Sequence, residues 1–595
     1  MTRSLYSQNL AVAALAILAA SCSSNNAQNS GSGGASPGAG GASGGATTAS
    51  TGGQVGTGGS APGVGGKGSG GSASGGTIGS ASGGSGSGGV TSGAGGSSSA
   101  ATGGSSAATR TGGITGGRAG SSGGAASGGP GTGGATGTGG ATGIQVCPSL
   151  PGAPTGTQPL PNSSQLSYQR TEMTAFIHYS LATYDGSEQG SPSDSPSIFN
   201  PSNLNATSVA EWASSLKAAG FGQAMLVTKH SVGFTLWPSK YTDYSVKSSP
   251  WMNGNGDVVQ LFTDAMHTSG MRAALYLSPW DQKYPSSKSD YITYFKNQLT
   301  EILSYGPAYE IEFDGAQSST LGTAFDWKSV FQFVKQAQPN ILIWSGPEIA
   351  ALGATPDLQW IGNENGQASR TTSSLDTIYC GSGSTWCPFE CNTSSHRPNW
   401  FWHPGSSPMA LADMQKVYFQ TVGMNCTLNF NVPPSQTGEF DPKDLALLQQ
   451  FGSWYSGLYK TNLLKGQPAT ADSTWSAAGF EATKAVDDDL CTYWAAASGK
   501  TTAQLTVTPA SPMAINLISI REAIELGERV KKYHVEIQQN GTWNTAPTDT
   551  SGAKIQGTVI GNRQLWQLSG AAVQAVRLVI DSAKDSPTIA EFGVY

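Results

Sequence analysis

Short apolar runs alternate with amphipathic segments between about residues 147 and 460. The amphipathic segments carry apolar residues at helical spacing, and most connect one apolar run to the next. The six runs of strand length are 173–180, 223–230, 272–279, 309–315, 340–346 and 358–364. Repeated strand–helix units predict a parallel sheet, and a (β/α) TIM-like barrel over 147–460 is the favoured closure. We expect Ser208 and Asp257 to cap two of the helices.

The pattern changes after Lys460. From there to Tyr595 the apolar residues alternate at strand period, and turn-forming residues separate the runs. No segment has a convincing helical period. This predicts an all-β sandwich over 461–595 as a second domain.

The segment 23–146 is composed almost entirely of Gly, Ser, Ala and Thr. Its only charged residues are Lys67, Arg110 and Arg118, and it has no aromatic residue. Such a segment cannot bury enough apolar surface to offset chain entropy. We therefore expect a low-complexity disordered linker.

The first 22 residues have the pattern of an export signal. Arg3 precedes an apolar run from Leu10 to Ala20, which is too short to span a membrane and ends in small residues. The ending "LAASC" resembles a bacterial lipoprotein box with Cys22 as the lipidated residue; the alternative is an ordinary signal cleaved nearby. Either way we expect an exported protein, and membrane association only through the anchor at Cys22.

Charge and cysteine content narrow the function classes. The net charge of −6 gives no reason to expect nucleic-acid binding. Of the seven cysteines, six remain without Cys22, an even number that suits disulfides in an oxidising compartment. Cys380, Cys387 and Cys391 are close enough in sequence to pair locally, but the connectivity stays open. The chain has no HExxH motif and no glycine loop that would cradle phosphate, so we expect neither metal nor cofactor.

Polar residues stand where the predicted strands end. The catalytic and binding residues of a barrel enzyme lie at the carboxyl ends of its strands. Two carboxylates on different strands, with histidine and tryptophan nearby, are the groups that glycoside hydrolysis requires. The strand-end residues are His178, His230, Trp280 with Asp281, Asp314, Glu348 and Glu364.

Several long motifs resemble those of one enzyme family. The segments "FNPSNLNATSVAEWASSLKAAGFGQAMLVTKHSVGF", "YGPAYEIEFDGA" and "TVGMNCTLNFNVPP" are similar to those of glycoside hydrolase family 29. The resemblance covers about Ser167 to Lys460, essentially the whole barrel. Members of that family are retaining α-L-fucosidases, and "WIGNENG" resembles their 1,3/1,4-specific subgroup.

The resemblance implies roles for individual residues. Asp314 in "FDGA" matches the family's nucleophile, and Glu364 in "WIGNENG" matches the acid/base. Without the resemblance, Glu364 could simply cap a turn and His178 could be a core histidine. Other positions match substrate-binding residues: His178, Glu188 and His230, with Tyr276 and Trp280 at the same mouth, and Glu390 and Trp400 in "CPFECNTSSHRPNWFWH".

Three positions depart from the family pattern. Ser231 follows His230 where a second histidine or an aspartate is common, and Gln189 follows Glu188 where tryptophan is common. Glu312 stands two residues before Asp314, where the family usually has tryptophan. Because three carboxylates then share one strand face, we expect Glu312 to be paired with a cation.

The C-terminal region resembles discoidin-like domains and carbohydrate-binding modules, through "AVDDDLCTYW" and "AVRLVIDS". The domain would bind sugar or buttress the barrel. Trp494 is the first aromatic candidate for a sugar platform.

Three functions follow as expectations. The leading one is a retaining exo-α-L-fucosidase that releases L-fucose from α-1,3- or α-1,4-fucosylated oligosaccharides or glycoproteins. The second is a broad fucosidase that also accepts α-1,2 links and aryl fucosides. The third is a non-catalytic surface protein that binds glycans on a decayed barrel.

Overall fold

The computed structural model describes residues 147–284, 289–315, 325–346, 349, 352–376, 380 and 385–595. The predicted signal, the lipidation site Cys22, the linker and Glu348 lie outside these residues. No helix in the described ranges is long and apolar enough to cross a membrane.

Eight parallel strands close into a barrel, which confirms the predicted fold class. Neighbouring strands pair in sequence order, and β1 pairs with β8 to complete the circle. The strands are β1 Met173–Ile177, β2 Gln223–Lys229, β3 Arg272–Leu277, β4 Glu310–Phe313, β5 Leu342–Ser345, β6 Leu358–Trp360, β7 Phe389–Ser394 and β8 Thr427–Asn431.

Helices surround this barrel and bury its outward-facing side chains. The described α-helices are α1 Ser163–Thr171, α2 Ala182–Asp185, α3 Ala206–Ala218, α4 Val258–Ser269, α5 Tyr291–Ile302, α6 Trp327–Ala337, α7 Leu411–Gln420 and α8 Pro442–Leu458. Short 3₁₀ turns lie at Pro196–Ile198, Val246–Ser248, Trp251–Gly254, Leu303–Tyr305, Ala482–Ala485 and Ile524–Leu526.

One predicted helix cap is correct and one is wrong. Asp257 accepts a hydrogen bond from the Gln260 amide at 2.9 Å and caps α4. Helix α3 begins earlier than expected: Asn205 is its cap, and Ser208 is the third residue of a capping box. The serine reaches back to the Asn205 amide, so it supports the cap without being one.

The C-terminal strands form the predicted sandwich. They are β9 Ala469–Ala471, β10 Trp494–Ala495, β11 Ala503–Val507, β12 Met513–Ala514, β13 Leu517–Glu522, β14 Val530–Gln539, β15 Thr542–Asn544, β16 Gln556–Gly557, β17 Gln564–Gln567, β18 Ala572–Val573, β19 Ala575–Ala583 and β20 Thr588–Val594. A four-stranded sheet runs β10-β20-β13-β17, a second sheet runs β15-β14-β19-β11-β9 with β16 beside β14, and β12 pairs with β18.

Trp494 does not offer a platform for sugar. Its side chain is fully buried between the sheets, and its indole N–H donates to the Ser473 carbonyl at 3.1 Å. The expectation that Trp494 stacks on a glycan is therefore wrong, because the ring is part of the sandwich core.

The sandwich packs against the barrel at the amino ends of the strands. Glu172 immediately precedes β1 and accepts from Arg521 and Arg563, each at 2.7 Å. Glu528 of the sandwich accepts from the side-chain amide of Asn425 at 3.1 Å, and Asn425 lies two residues before β8. The second domain thus covers the end of the barrel opposite to the carboxyl ends of the strands.

Three disulfides join the six cysteines, Cys147–Cys491, Cys380–Cys387 and Cys391–Cys426. The first ties the start of the described chain to the sandwich. The second closes a local loop, and the third links β7 to the residue before β8.

Candidate active site

Aromatic and histidine rings form a pocket at the carboxyl end of the barrel. His178 directly follows β1 and His230 directly follows β2, with ring centroids 6.0 Å apart. The Trp400 ring lies 5.0 Å from His178, and Tyr276 stacks on His230 at 6.1 Å. Phe401 packs edge-on against both histidines at 5.3 Å.

Asn431 fixes the orientation of His178. The Asn431 amide nitrogen donates to the Ser394 hydroxyl and to the Trp400 carbonyl, so its Oδ1 faces the histidine as an acceptor. His178 Nδ1 lies 2.9 Å from this oxygen and must carry the proton. Burial lowers the pKa of His178 to about 3, so the ring is neutral and its Nε2 can accept a hydrogen bond.

His230 is neutral for the same reason. Burial lowers its pKa to about 4, and its Nδ1 lies 3.2 Å from the Ser231 hydroxyl. Two uncharged imidazoles therefore line the pocket, where each offers directional hydrogen bonds without a fixed charge.

Asp314 follows β4 directly and points into this pocket. Its Oδ2 accepts from the Tyr276 hydroxyl at 3.2 Å, and its Oδ1 accepts from the Gly315 amide at 2.7 Å. Burial raises the pKa of Asp314, while these two hydrogen bonds act in the opposite direction. The donors stabilise the carboxylate form, which is the form that can attack carbon.

Glu364 lies in the loop after β6 and is half exposed, with 50% of its side-chain surface accessible. Partial burial and the Asp314 charge raise its pKa, and Arg397 opposes them. Arg397 Nη1 lies 3.7 Å from Glu364 Oε2 and also donates to the Glu364 carbonyl. Its Nη2 donates to Asn365 at 3.0 Å, so the arginine holds this loop.

Glu188 joins two loops at the mouth of the pocket. Its Oε2 accepts from the Trp400 amide at 2.6 Å, and its Oε1 lies 2.5 Å from His403 Nε2. The carboxylate therefore holds the segment that carries the Trp400 ring.

Two other predicted site residues occupy different surroundings. Trp280 follows β3 and lies beside Gly315, whose added Cβ would be 3.4 Å from the tryptophan Cβ. Glu390 is the second residue of β7 and has no exposed surface. The structure therefore does not place Glu390 on the wall of the pocket.

Glu312 contradicts the expected pairing. It is 2% exposed, and its Oε2 has no hydrogen-bond partner among the described residues. Within the described chain it forms no ion pair; the charges that act on it are those of Glu390, Asp314 and Glu310. The prediction of a compensating cation is wrong because acids, not bases, surround this position.

Several working residues were missed from the sequence. Asn431, Arg397, His403 and Phe401 lie within the family-like motifs but outside the set of predicted site residues. Asn431 had a readable signal, since a polar residue at a strand end faces the same pocket as the histidines.

Comparisons with known proteins match both domains of the chain. The model of the alpha-L-fucosidase family matches residues 161–458, and that of the F5/8 type C domain matches residues 468–592. An Arabidopsis thaliana alpha-L-fucosidase is 33% identical over 461 residues, 73% of this chain and 87% of the relative. The chain belongs to the alpha-L-fucosidase family.

Solved structures extend the likeness to both domains. A structure described as a putative alpha-L-fucosidase from Bacteroides thetaiotaomicron is 31% identical, with a TM-score of 0.69 over 74% of this chain and 99% of that one. A Ruminococcus gnavus fucosidase in complex with fucose is 27% identical, with a TM-score of 0.67 over 76% and 97%. This α-L-fucosidase is thus a retaining glycoside hydrolase, and the non-catalytic alternative is excluded.

Proposed function

We propose that this α-L-fucosidase uses Asp314 as nucleophile and Glu364 as general acid/base on α-1,3- and α-1,4-fucosylated glycans. The assignment rests on the position and the hydrogen bonds of the Asp314 carboxylate. It directly follows a barrel strand, is held by two donors and faces a pocket of neutral rings.

The reaction has two displacements. Asp314 attacks the anomeric carbon while Glu364 protonates the departing sugar oxygen, and an ester between fucose and Asp314 forms. Glu364 then takes a proton from water, which attacks the ester and releases fucose. Such a pair works at a separation of roughly 5–5.5 Å.

The remaining pocket residues bind and orient the sugar. His178, with Asn431 on Nδ1, presents Nε2 to a hydroxyl, and His230 lies on the adjacent strand. Trp400 offers a ring face for the C–H surface of fucose, and Glu188 holds that ring in place.

Replacement of Asp314 tests the nucleophile. We expect Asp314→Ala to abolish fucose release and to retain glycan binding measured by calorimetry, with Asp264→Ala on the exposed face of α4 as the matched control. Unchanged release by Asp314→Ala would refute the assignment.

Linkage preference needs a panel of substrates. The "WIGNENG" loop and the His230-Ser231 pair favour α-1,3 and α-1,4 links, and the alternative is a broad enzyme that also cleaves α-1,2 links. We expect Lewis-type trisaccharides to be hydrolysed faster than aryl fucosides or α-1,2-fucosyl lactose. Equal kcat/KM values across the panel would favour the broad enzyme.

We also propose that the enzyme is exported and anchored through a lipid on Cys22. The support is the apolar run that ends in "LAASC". Full-length protein produced in a bacterial host should partition into the membrane fraction, and Cys22→Ala should release it. Equal partitioning of both forms would contradict the anchor.

A further inference from the structure

Three glutamates lie inside the barrel below the pocket. Glu310 and Glu312 belong to β4 and share the face that carries Asp314, and Glu390 comes from β7. Their exposed fractions are 0%, 2% and 0%. None of the catalytic steps uses them.

These carboxyl groups have little hydrogen bonding. Glu310 Oε2 accepts from the Gln223 amide at 2.6 Å. Glu312 Oε2 has no hydrogen-bond partner within the described chain. Glu390 has only the Asn429 side chain and the Glu310 carboxyl group within hydrogen-bonding reach, so these two acids can share a proton. A buried ionised carboxylate normally has several donors or a cation, so the surroundings do not suit three charges.

The titratable groups that face the cluster are acids and phenols. Asp314 lies above Glu312 on β4, Tyr276 approaches from β3, and Tyr168 approaches from α1. No lysine, arginine or histidine in the described ranges forms an ion pair with the three glutamates. The described residues also contain no group of three or more ligating side chains arranged around a metal position.

Two uncharged polar side chains lie next to the cluster. Trp344 pairs in register with Glu312, and its indole N–H is buried and unpartnered. The Asn429 side-chain amide on β8 lies close enough to the Glu390 carboxyl group to hydrogen-bond with it. A carboxylic acid differs from a carboxylate in carrying a donor of its own, which suits two neighbouring carboxyl groups such as Glu310 and Glu390.

We propose that Glu310, Glu312 and Glu390 form a buried proton-binding cluster, which takes up protons when the barrel folds and keeps charge off the strand face beneath Asp314. The cluster itself is independent of the catalytic assignment. Only its effect on the nucleophile rests on the proposed function.

The direction of the pH effect follows from the titrations. Burial raises the pKa of all three groups, to about 8 for Glu310, and like charges add to the shift for Glu312 and Glu390. An acid whose pKa is higher in the folded state stabilises the fold at low pH, and this contribution is lost as pH rises from about 4.5 through the folded pKa. Each such proton changes the unfolding equilibrium constant about tenfold per pH unit in that window.

Unfolding measured between pH 5.5 and 8 tests the cluster. The wild-type enzyme should lose stability as pH rises, and Glu312→Gln should lose about one proton from that slope, since glutamine mimics the neutral acid. Glu390→Gln should act likewise, and the exposed Glu211→Gln should follow the wild type. Equal slopes for Glu312→Gln and wild type would overturn the proposal.

Infrared spectra of the folded enzyme give a second readout that does not need activity. At pH 7 the wild type should show a carbonyl band of protonated carboxylic acid that weakens in Glu312→Gln and in Glu390→Gln, but not in Glu211→Gln. The absence of this band in the wild type would overturn the proposal even if a variant failed to fold.

The acid limb of kcat/KM tests the effect on Asp314. If Glu312 is neutral, Glu312→Gln leaves the pH midpoint of this limb in place. A midpoint that moves to lower pH would show that Glu312 is charged and would contradict the proposal. Unchanged fucose release by Asp314→Ala, with the infrared band retained in the wild type, would instead refute the catalytic assignment alone.

Discussion

At the scale of single residues, the pocket depends on one asparagine. Asn431 Oδ1 accepts from both the His178 amide and the His178 ring. We expect Asn431→Ala to lower kcat/KM about 10- to 100-fold, because removing a partner from a buried polar group costs roughly 1–3 kcal/mol. Steady-state kinetics with the exposed Asn544→Ala as control would check this, and activity within about twofold of wild type would contradict it.

Asn431→Asp should change the pH dependence as well. A carboxylate beside His178 favours the protonated ring and raises its pKa from about 3. Protonation removes the Nε2 acceptor, so the acid side of the kcat/KM profile should move to higher pH. A profile with the wild-type midpoint would show that His178 is not the acceptor.

Arg397 should lower the pKa of Glu364, the proposed acid/base. Its charge lowers the pKa of Glu364, so its removal should raise that pKa. We expect Arg397→Gln to move the alkaline limb of kcat/KM to higher pH, where the protonated acid now persists. Arg397→Lys keeps the charge and should shift the limb less. A limb that moves to lower pH in the glutamine variant would contradict the pairing seen at 3.7 Å.

The sequence identified the pocket's main residues but not their partners. His178, His230 and Asp314 stand directly after apolar strands, where position alone indicates a role. Arg397 acts through a loop that approaches Glu364 from another strand, and spacing along the chain does not show that approach. Asn431 ends β8, which has no apolar run to mark it as a strand. The surroundings of Glu312 could not be predicted, because the sequence shows its three-acid strand but not that Glu390 of β7 lies close to it.

At the scale of elements, six of the eight barrel strands were visible as apolar runs. β7 and β8 were not predicted as strands, because they carry inward-facing polar residues such as Glu390, Asn392 and Asn429. Polar side chains that face the barrel interior remove the apolar signal on which strand prediction relies. The first residue of α3 was harder to predict for a different reason. Asn205 and Ser208 are both residue types that commonly cap helices, and the structure uses Asn205 as the cap.

The Cys391–Cys426 disulfide should stabilise these two polar strands. Both cysteines are buried, and the bridge spans 35 residues. We expect Cys391→Ala/Cys426→Ala to lose roughly 2–4 kcal/mol of unfolding free energy. Thermal unfolding under oxidising conditions would check this, with reduced wild type for comparison. An unchanged melting temperature would contradict a stabilising role.

At the scale of the whole molecule, the sandwich packs against the amino end of the barrel and supports it. Glu172 is 6% exposed and is held by two arginines of the sandwich. This arrangement supports the buttressing role that the sequence left open beside sugar binding.

Glu172→Ala should therefore destabilise both domains together. Removing one partner of a buried ion pair leaves uncompensated charge and costs roughly 3–5 kcal/mol. We expect a lower unfolding midpoint in urea with kcat unchanged at low temperature, because this contact lies at the opposite end from Asp314. Glu211→Ala is the matched exposed control. Equal midpoints for the two variants would contradict a stabilising contact between the sandwich and the barrel at Glu172.

The two-domain organisation was predictable because each domain has its own periodicity, helical in one and two-residue in the other. The interface was not, because its arginines and glutamates look like ordinary surface residues in the sequence.

The central claim is that fucose becomes esterified to Asp314. The most direct measurement is mass spectrometry of the enzyme after reaction with a 2-deoxy-2-fluoro-fucosyl fluoride, which forms the ester quickly and hydrolyses it slowly. We expect a single label on the peptide that contains "EFDGAQ", and no label in Asp314→Ala. A label on another carboxylate, or none with active enzyme, would contradict it.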